Sequence, residues 1–309
     1  MRAVPFEASD SGCETESIAP LVDEFCQWMF QHRGVMASTL VQYRRVVGGL
    51  LQSLGTDPTC YTAVGLREVV RDRAGRHGPG HARAIVSMTR MFVRFLSAQG
   101  LCTAGLEGAL PTVPVWRLAT LPRYVSVGEV TRIVHGCDAR TTRGVRDRAV
   151  LLLLARLGLR AGDVADLRLT DLDWDDGSLR LAGKGRWEAR LPLPQEVGEA
   201  VLAYLRRGRP ALVEAHVFLA VRPPHGPLSS HAVSDIVARA IRRAGVRAPS
   251  HGAHLLRHSL ATAMLRQGRS LQEIAAVLRH RSLTTTAHYA KVDVQALRQI
   301  AQPWPEGAC

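Results

Sequence analysis

The sequence predicts a mainly α-helical protein with one small antiparallel β-sheet, divided into two domains. Apolar residues recur at helical spacing along much of the chain, as Leu21, Phe25 and Met29 do near its start. Between residues 172 and 193 the alternation changes to every second residue, which is typical of strands. Residues 104–122 are rich in glycine and proline and fit neither period, so they are the expected interdomain linker.

The first domain is predicted to be entirely helical. Residues 1–16 are expected to form a flexible leader, and residues 17–103 a helical domain. Its last helix places Arg83, Arg90 and Arg94 within one narrow arc, opposite an arc of apolar side chains. The apolar arc would dock on the domain while the guanidinium groups meet phosphates, although an ordinary solvated helix face would have the same pattern.

The second domain, residues 123–309, is predicted to mix helices with the small sheet. It opens with an S-x-x-E capping box from Ser126 to Glu129, and a buried helix then ends at Gly158. Three short strands follow, with Lys184 at the tip of the second hairpin.

Residues 252–267 are predicted to form a helix that carries three polar side chains on one face. His254, Arg257 and His258 fall at i, i+3 and i+4, so they point together into a cleft while apolar residues pack inward. Gly268 is expected to end this helix in a left-handed cap.

Two further helices are predicted to bring a histidine and a tyrosine toward the same face. Ser270 begins a second capping box, so a helix from 271 to about 279 delivers His280 at its end. The threonines at 284–286 are expected to cap a third, short helix that returns Tyr289. Cations, imidazoles and one phenol would then share one site, a combination that suits attack on a phosphodiester.

The charge of the chain favours a polyanionic partner. The net charge is +13, and residues 104–309 hold 29 arginines and lysines against 18 acids. Such a basic surface is typical of nucleic-acid binding, although an arginine-rich genome would give the same balance. Only Lys184 and Lys291 are lysines among the 40 basic residues. Because lysine gives up a proton more readily than arginine, Lys184 is a candidate proton donor, and a chance lysine in an exposed turn is the alternative.

Composition also excludes several classes of protein. No apolar run reaches the length of a membrane span, and the acidic N-terminus does not fit a signal peptide. The six cysteines are scattered with no C-x-x-C pair, which argues against a zinc site and a disulfide framework and favours a cytoplasmic protein. There is no D-D-E-like set of acids for catalytic metals, and Arg257 would repel a cation held between His254 and His258.

These motifs together resemble the tyrosine recombinase or phage integrase family. His-x-x-Arg-His at 254–258, then His280 and Tyr289, is similar to the C-terminal signature of the family. Residues 158–163 (Gly-Leu-Arg-Ala-Gly-Asp) resemble its first arginine box, and the Gly-Lys-Gly turn around Lys184 resembles its β-hairpin lysine. The resemblance therefore covers most of the second domain, and the first domain would be the family's helical core-binding domain.

The resemblance implies a role for each matching residue. Tyr289 would be the nucleophile that forms a 3′-phosphotyrosyl link, and Lys184 would be the general acid for the leaving 5′-oxygen. Asp163 and His258 would support the site. The covalent bond would conserve the energy of the broken strand, so neither ATP nor a metal cofactor is expected. The residues expected to bind the phosphate are Arg160, His254, Arg257 and His280.

The chain departs from the family at one position. The family usually has glycine before the histidine of its later box, and Arg279 stands there. The departure bears on the local backbone turn and leaves the catalytic residues in place.

The expected partner is double-stranded DNA with paired recombination sites, bound by four protomers, with a second recombinase or an accessory protein as a further possibility. An apolar C-terminal segment could dock on a neighbouring protomer or fold back on its own chain. This segment comprises Val292, Val294, Leu297 and Ile300.

The chain resembles simple Xer-type or transposon-borne recombinases. The alternative functions are a type IB topoisomerase and a DNA-binding factor with an inactive motif.

Overall fold

The computed structural model describes residues 14–114, 121–182, 188–280 and 282–292. The chain divides into two compact units, Met1–Trp116 and Arg117–Cys309. The predicted fold class is confirmed, because the described residues are mainly helical and carry one three-stranded antiparallel sheet in the second unit. No helix in these ranges is long and apolar enough to span a membrane.

The first unit is built from α-helices and short 3-10 helices around one apolar core. Phe25 lies at its centre and packs edge-on against Phe92, with 5.2 Å between the ring centroids. These long helices form because their apolar residues follow the helical period, so each helix buries one stripe. The elements are α1 (Glu14–Arg33), α2 (Ala37–Leu54), a 3-10 helix (Pro58–Cys60), α3 (Ala63–Gly75), α4 (Pro79–Ala98) and a 3-10 helix (Leu106–Ala109).

Both ends of this unit differ slightly from the expected domain limits. Helix α1 begins at Glu14, so the last residues of the expected leader are helical. Leu106 and Leu110 are buried in the core of the first unit, so the beginning of the expected linker packs there. The domain limits drawn from the sequence otherwise remain predictions.

The second unit surrounds helix α6, whose leucines at 151–154 are all fully buried. Ser126 forms the predicted capping box with Glu129 at the start of α5. The elements are α5 (Val127–His135), α6 (Thr142–Arg156), α7 (Ala161–Ala165), a 3-10 helix (Leu169–Asp171), β1 (Leu172–Asp173), β2 (Ser178–Ala182), β3 (Glu188–Pro192), α8 (Gln195–Arg207), α9 (Ser230–Arg243), α10 (His254–Arg266), α11 (Leu271–Leu278), α12 (Leu283–Thr286) and a 3-10 helix (Ala287–Val292).

The sheet is a meander in which β2 lies between β1 and β3. Leu179 of β2 faces Leu172 on one side and Leu191 on the other. The inward side chains at 172 and 179 are buried in the main core of the unit, which fixes the register of the strands. Residues 183–187, which include the expected position of Lys184 at the hairpin tip, lie outside the described residues.

Candidate active site

Arg257 is the structural centre of the site. Arg257 is only 4% exposed. Its guanidinium donates one hydrogen bond from Nη1 to the carbonyl oxygen of Gly158 and another from Nη2 to the carbonyl oxygen of Leu278. One side chain of α10 is thereby tied to the turn after α6 and to the end of α11. Both segments lead directly into other predicted site residues, because Arg160 follows the first and His280 the second.

Gly158 is needed where it stands. Its φ is +59°, which favours glycine, and a Cβ there would lie 2.7 Å from Cδ2 of Leu278 and 3.1 Å from Cδ2 of Leu260. Any side chain would therefore displace the ends of the Leu278 and Leu260 side chains, which pack on the turn whose carbonyl oxygen holds Arg257.

The first arginine box and the later histidine box are joined through Asp163. One oxygen of this carboxylate, Oδ2, accepts the backbone N–H of Arg160 at 2.8 Å and Nη2 of Arg279 at 2.6 Å. In return, Nη2 of Arg160 donates to the backbone oxygen of Arg279 at 3.4 Å. Arg160 is otherwise exposed, so its guanidinium is open to a ligand.

Arg279 adopts the backbone conformation that a glycine would take. Its φ and ψ are 52° and 50°, and its N–H caps α11 by donating to the carbonyl oxygens of Ala275 and Ala276. The left-handed turn before His280 is therefore present even though arginine stands where the family usually has glycine.

His280 is oriented by a buried threonine. Its Nδ1 lies 2.8 Å from Oγ1 of Thr286, a residue with no exposed surface. The expectation that the threonines at 284–286 cap the third helix is wrong. Ser282 caps it instead, accepting the N–H of Thr284 at 3.3 Å, so the threonines lie inside α12 and Thr286 is free to contact His280.

Tyr289 lies on the 3-10 helix Ala287–Val292 and is only 2% exposed. Its ring packs in a small apolar cluster with Ile274, Leu278 and Leu265. Its hydroxyl lies 2.6 Å from Nδ1 of His258. Burial raises the pKa of the phenol to about 12, with the charge of Arg257 acting in the opposite direction. The tyrosine is therefore held as a neutral phenol against an imidazole.

The imidazoles of the site are neutral at pH 7. Burial, followed by nearby charges that include Arg257, lowers the pKa of His258 and of His280 to about 4. The same causes lower the pKa of His254, with Arg160 contributing as a further cation. Burial and the charge of Arg160 lower the pKa of Arg257 to about 10, so the guanidinium of Arg257 stays charged at pH 7.

These contacts bring together five of the six residues expected to be catalytic. Lys184 is the sixth and lies outside the described residues. In the part of the chain that the structure describes, no group of three or more His, Cys, Asp or Glu side chains is placed to hold a metal ion. The five are Arg160, His254, Arg257, His280 and Tyr289.

The three arginines of α4 differ from one another in the first unit. Arg83 is exposed, and Arg94 lies 4.0 Å from Glu107 in a partly exposed ion pair. Arg90 donates from Nη2 to the carbonyl oxygens of Leu110 and Pro111 at 3.1 and 3.2 Å. Arg90 therefore fastens the segment after α4, a role that the helical period could not reveal.

Sequence reasoning missed the contacts that organise the site. Gly158, Arg279 and Thr286 each touch an expected site residue. The glycine and the arginine stand inside or beside recognised motifs, which was the available signal. Thr286 carried no such signal, because its contact depends on how α12 packs.

A family model described as the phage integrase family matches residues 123–296. Among curated proteins, the chain is 39% identical over 279 residues to "Putative integrase/recombinase y4rA" of Sinorhizobium fredii, covering 88% of this chain and 68% of that protein. It is 33% identical over 291 residues to tyrosine recombinase XerD of Mycobacterium tuberculosis, covering 87% of this chain and 91% of that protein.

Two solved structures share the fold. One is the XerH site-specific recombinase bound to a palindromic difH substrate, with a TM-score of 0.70 and 18% identity over 96% of this chain and 86% of that chain. The other is a lambda integrase tetramer bound to a Holliday junction, with a TM-score of 0.68 and 19% identity over 87% of this chain and 76% of that chain. Since the family model also matches more than half of the sequence, the chain belongs to the phage integrase family of tyrosine recombinases.

Proposed function

We propose that the protein is a site-specific DNA recombinase that cleaves and rejoins strands through a 3′-phosphotyrosyl intermediate. The contact between the hydroxyl of Tyr289 and Nδ1 of His258, 2.6 Å apart beside the buried guanidinium of Arg257, carries this proposal. A nucleophile, a neutral proton acceptor and a fixed cation together form the minimum apparatus for phosphoryl transfer.

In the first step the oxygen of Tyr289 attacks the scissile phosphorus. A P–O bond to tyrosine forms, and the P–O bond to the 5′-oxygen breaks. The phenol gives up its proton as it attacks. Neutral His258, whose Nδ1 lies 2.6 Å from that hydroxyl, would accept the proton in the tautomer that is protonated on Nε2. Lys184 would supply a proton to the leaving oxygen.

The pentacovalent transition state concentrates negative charge on the nonbridging oxygens. Arg257, fixed by two backbone carbonyl oxygens, and exposed Arg160 supply preorganised positive charge there. His254 and His280 add neutral N–H donors, and Thr286 sets the ring of His280. A 5′-hydroxyl from a second strand then attacks the phosphotyrosine. A P–O bond to that 5′-oxygen forms and the P–O bond to Tyr289 breaks. The hydroxyl proton passes to Lys184, and the released phenolate regains the proton held by His258.

Strand exchange requires two DNA sites held together, so we propose that four protomers assemble on paired sites. The two solved structures support this, since one is a recombinase with its DNA substrate and the other a tetramer on a Holliday junction. A second recombinase or an accessory protein could complete the assembly. The protein would act in the cytoplasm on chromosomal or mobile-element DNA.

A covalent trap tests the proposal. Nicked suicide duplexes tiled across the DNA that flanks the gene would be incubated with the full chain, and protein–DNA adducts resolved on denaturing gels. We expect one adduct that is absent with Tyr289→Phe and contains a peptide carrying Tyr289. Specific binding with no adduct on any duplex would favour an inactive DNA-binding factor.

A second assay separates recombination from topoisomerase activity. Plasmids carrying two copies of the trapped site are expected to give exchanged products. Relaxation of supercoils by the same protein without any exchange would favour the type IB topoisomerase.

A further inference from the structure

Arg279 occupies a position that is costly for arginine. Its φ of 52° lies in the left-handed region, which glycine adopts without strain and which a residue with a Cβ adopts at a cost. Its buried Nε also has no hydrogen-bond partner among the described residues. A glycine would satisfy the backbone without either cost, so the arginine side chain must supply something else.

The side chain of Arg279 forms an ion pair with the carboxylate of Asp163. Nη2 of Arg279 lies 2.6 Å from Oδ2 of Asp163, and the two side chains are 7% and 17% exposed, respectively. Because solvent screens so buried a pair poorly, the guanidinium neutralises most of the charge of Asp163. The same carboxylate oxygen accepts the backbone N–H of Arg160, so the pair also anchors the first arginine box.

Without this guanidinium, Asp163 would act on the phosphate-binding cations. Asp163 is close enough to Arg257 to shift its pKa upward, against the downward influence of Arg160 and Arg279. The described cluster of Arg160, Arg257, Arg279 and Asp163 carries three positive charges and one negative, a net of +2. Glycine at 279 would leave a net of +1, with an unpaired carboxylate competing with the phosphate for both remaining arginines.

We propose that Arg279 is a positioning residue that binds Asp163 and leaves the charges of Arg160 and Arg257 available to the scissile phosphate. This rests on the proposed function, because it assumes that a phosphate binds there. The backbone oxygen of Arg279 adds to this effect by accepting Nη2 of Arg160 at 3.4 Å. Arg279 thus affects the charge available to the transition state indirectly, through its contacts with Asp163 and Arg160.

The test separates charge from backbone strain. Arg279→Met keeps the left-handed strain and removes the charge, Arg279→Gly removes both, and Arg279→Lys keeps the charge. Asp163→Asn, alone and combined with Arg279→Met, removes the competing carboxylate while leaving an acceptor for the N–H of Arg160. Arg269→Met is the matched control, since among the described residues it breaks only the exposed 3.6 Å pair with Glu273.

The single-turnover cleavage rate at saturating protein and the Kd would both be measured on the nicked duplex that the wild-type protein traps. We expect Arg279→Met and Arg279→Gly to lower the rate about 10- to 100-fold with little change in Kd, because the phosphate charge grows in the transition state. Arg279→Lys and the double variant should recover much of the rate, and Arg269→Met should match the wild type.

An Arg279→Gly protein that cleaves as fast as the wild type would overturn the proposal, and so would a double variant no faster than Arg279→Met. If the wild type forms no adduct, the proposed function fails, and thermal unfolding of the same variants tests the pair alone. The midpoint should fall in Arg279→Met and rise again when Asp163→Asn is added. Additive midpoint shifts would show that the two side chains are not coupled, which also overturns the proposal.

Discussion

Arg257 in the second unit and Arg83 in the first show the same side chain in opposite settings. Arg257 is 4% exposed, and two backbone carbonyl oxygens fix its guanidinium. Arg83 is exposed on α4. A fixed guanidinium needs little reorganisation when charge develops on a phosphate, whereas an exposed one contributes mainly attraction. The difference teaches that the number of arginines in a region says less about chemistry than what holds each of them.

The largest effect is expected from Arg257→Lys. A lysine keeps one charge but cannot reach both the carbonyl oxygen of Gly158 and that of Leu278, so the turn and α11 lose their common anchor. We expect the cleavage rate to fall by about 100- to 1,000-fold. Single-turnover trapping on suicide DNA measures this, with Arg83→Lys as the matched control. Equal rates for the two variants would remove the distinction between the fixed arginine and the exposed one.

The next effect concerns the carbonyl oxygen that holds Arg257. Gly158→Ala places a Cβ 2.7 Å from Leu278 at a φ of +59°, and we expect a loss of about 2–4 kcal/mol in the free energy of unfolding. Cleavage should fall as well, because the displaced turn carries Arg160.

Gly268→Ala is the control for this variant. Gly268 has a φ of +78°, and no atom of the described residues lies within 4 Å of the position that a Cβ would take, so its substitution reports strain without a clash. Urea unfolding of both variants gives the comparison. A Gly158→Ala protein no less stable than Gly268→Ala would mean that the close approach of α11 is not needed.

Acid should destabilise the second unit through its imidazoles. His258 and His280 bind a proton near pH 6.5 when unfolded and only near pH 4 when folded. Between these values the unfolded state binds more protons, so the free energy of unfolding should fall as pH is lowered from about 6.5 to 4. Urea titrations at several pH values measure the slope, which His258→Gln should reduce. An unchanged slope in that variant would contradict a buried neutral imidazole.

The smallest effects are expected on α4, where the three arginines should separate. Arg83→Ala should weaken DNA binding by less than about tenfold and reduce its salt dependence by about one phosphate contact. Arg90→Ala should instead lower the stability of the first unit, because its guanidinium holds the carbonyl oxygens of Leu110 and Pro111. Fluorescence anisotropy across a salt series and thermal unfolding distinguish the two. The same outcome for both variants would argue against this division.

Much of the fold and part of the site could be predicted from local sequence. The capping boxes at Ser126 and Ser270 and the left-handed Gly268 were predictable, because each depends on residues within one turn. The threonine cap was mispredicted because serine and threonine are both good N-caps, and Ser282 comes first in the chain.

Contacts between distant segments could not be predicted in this way. Arg257 meets a carbonyl oxygen 99 residues earlier, and Arg279 meets a carboxylate 116 residues earlier. No periodicity or spacing encodes those partners, because they depend on how α6, α10 and α11 pack. The sequence could therefore supply the types of the site residues but not the means by which they are held.

The position of Tyr289 has a consequence for how the stability of the fold and the candidate site are linked. Its ring completes the apolar cluster of α10 and α11, while its hydroxyl contacts His258. Burial of one aromatic ring contributes about 2 kcal/mol to folding. The proposed nucleophile is therefore also a core residue, so a change that loosens the packing of α10 against α11 would move the reactive oxygen as well as weaken the fold.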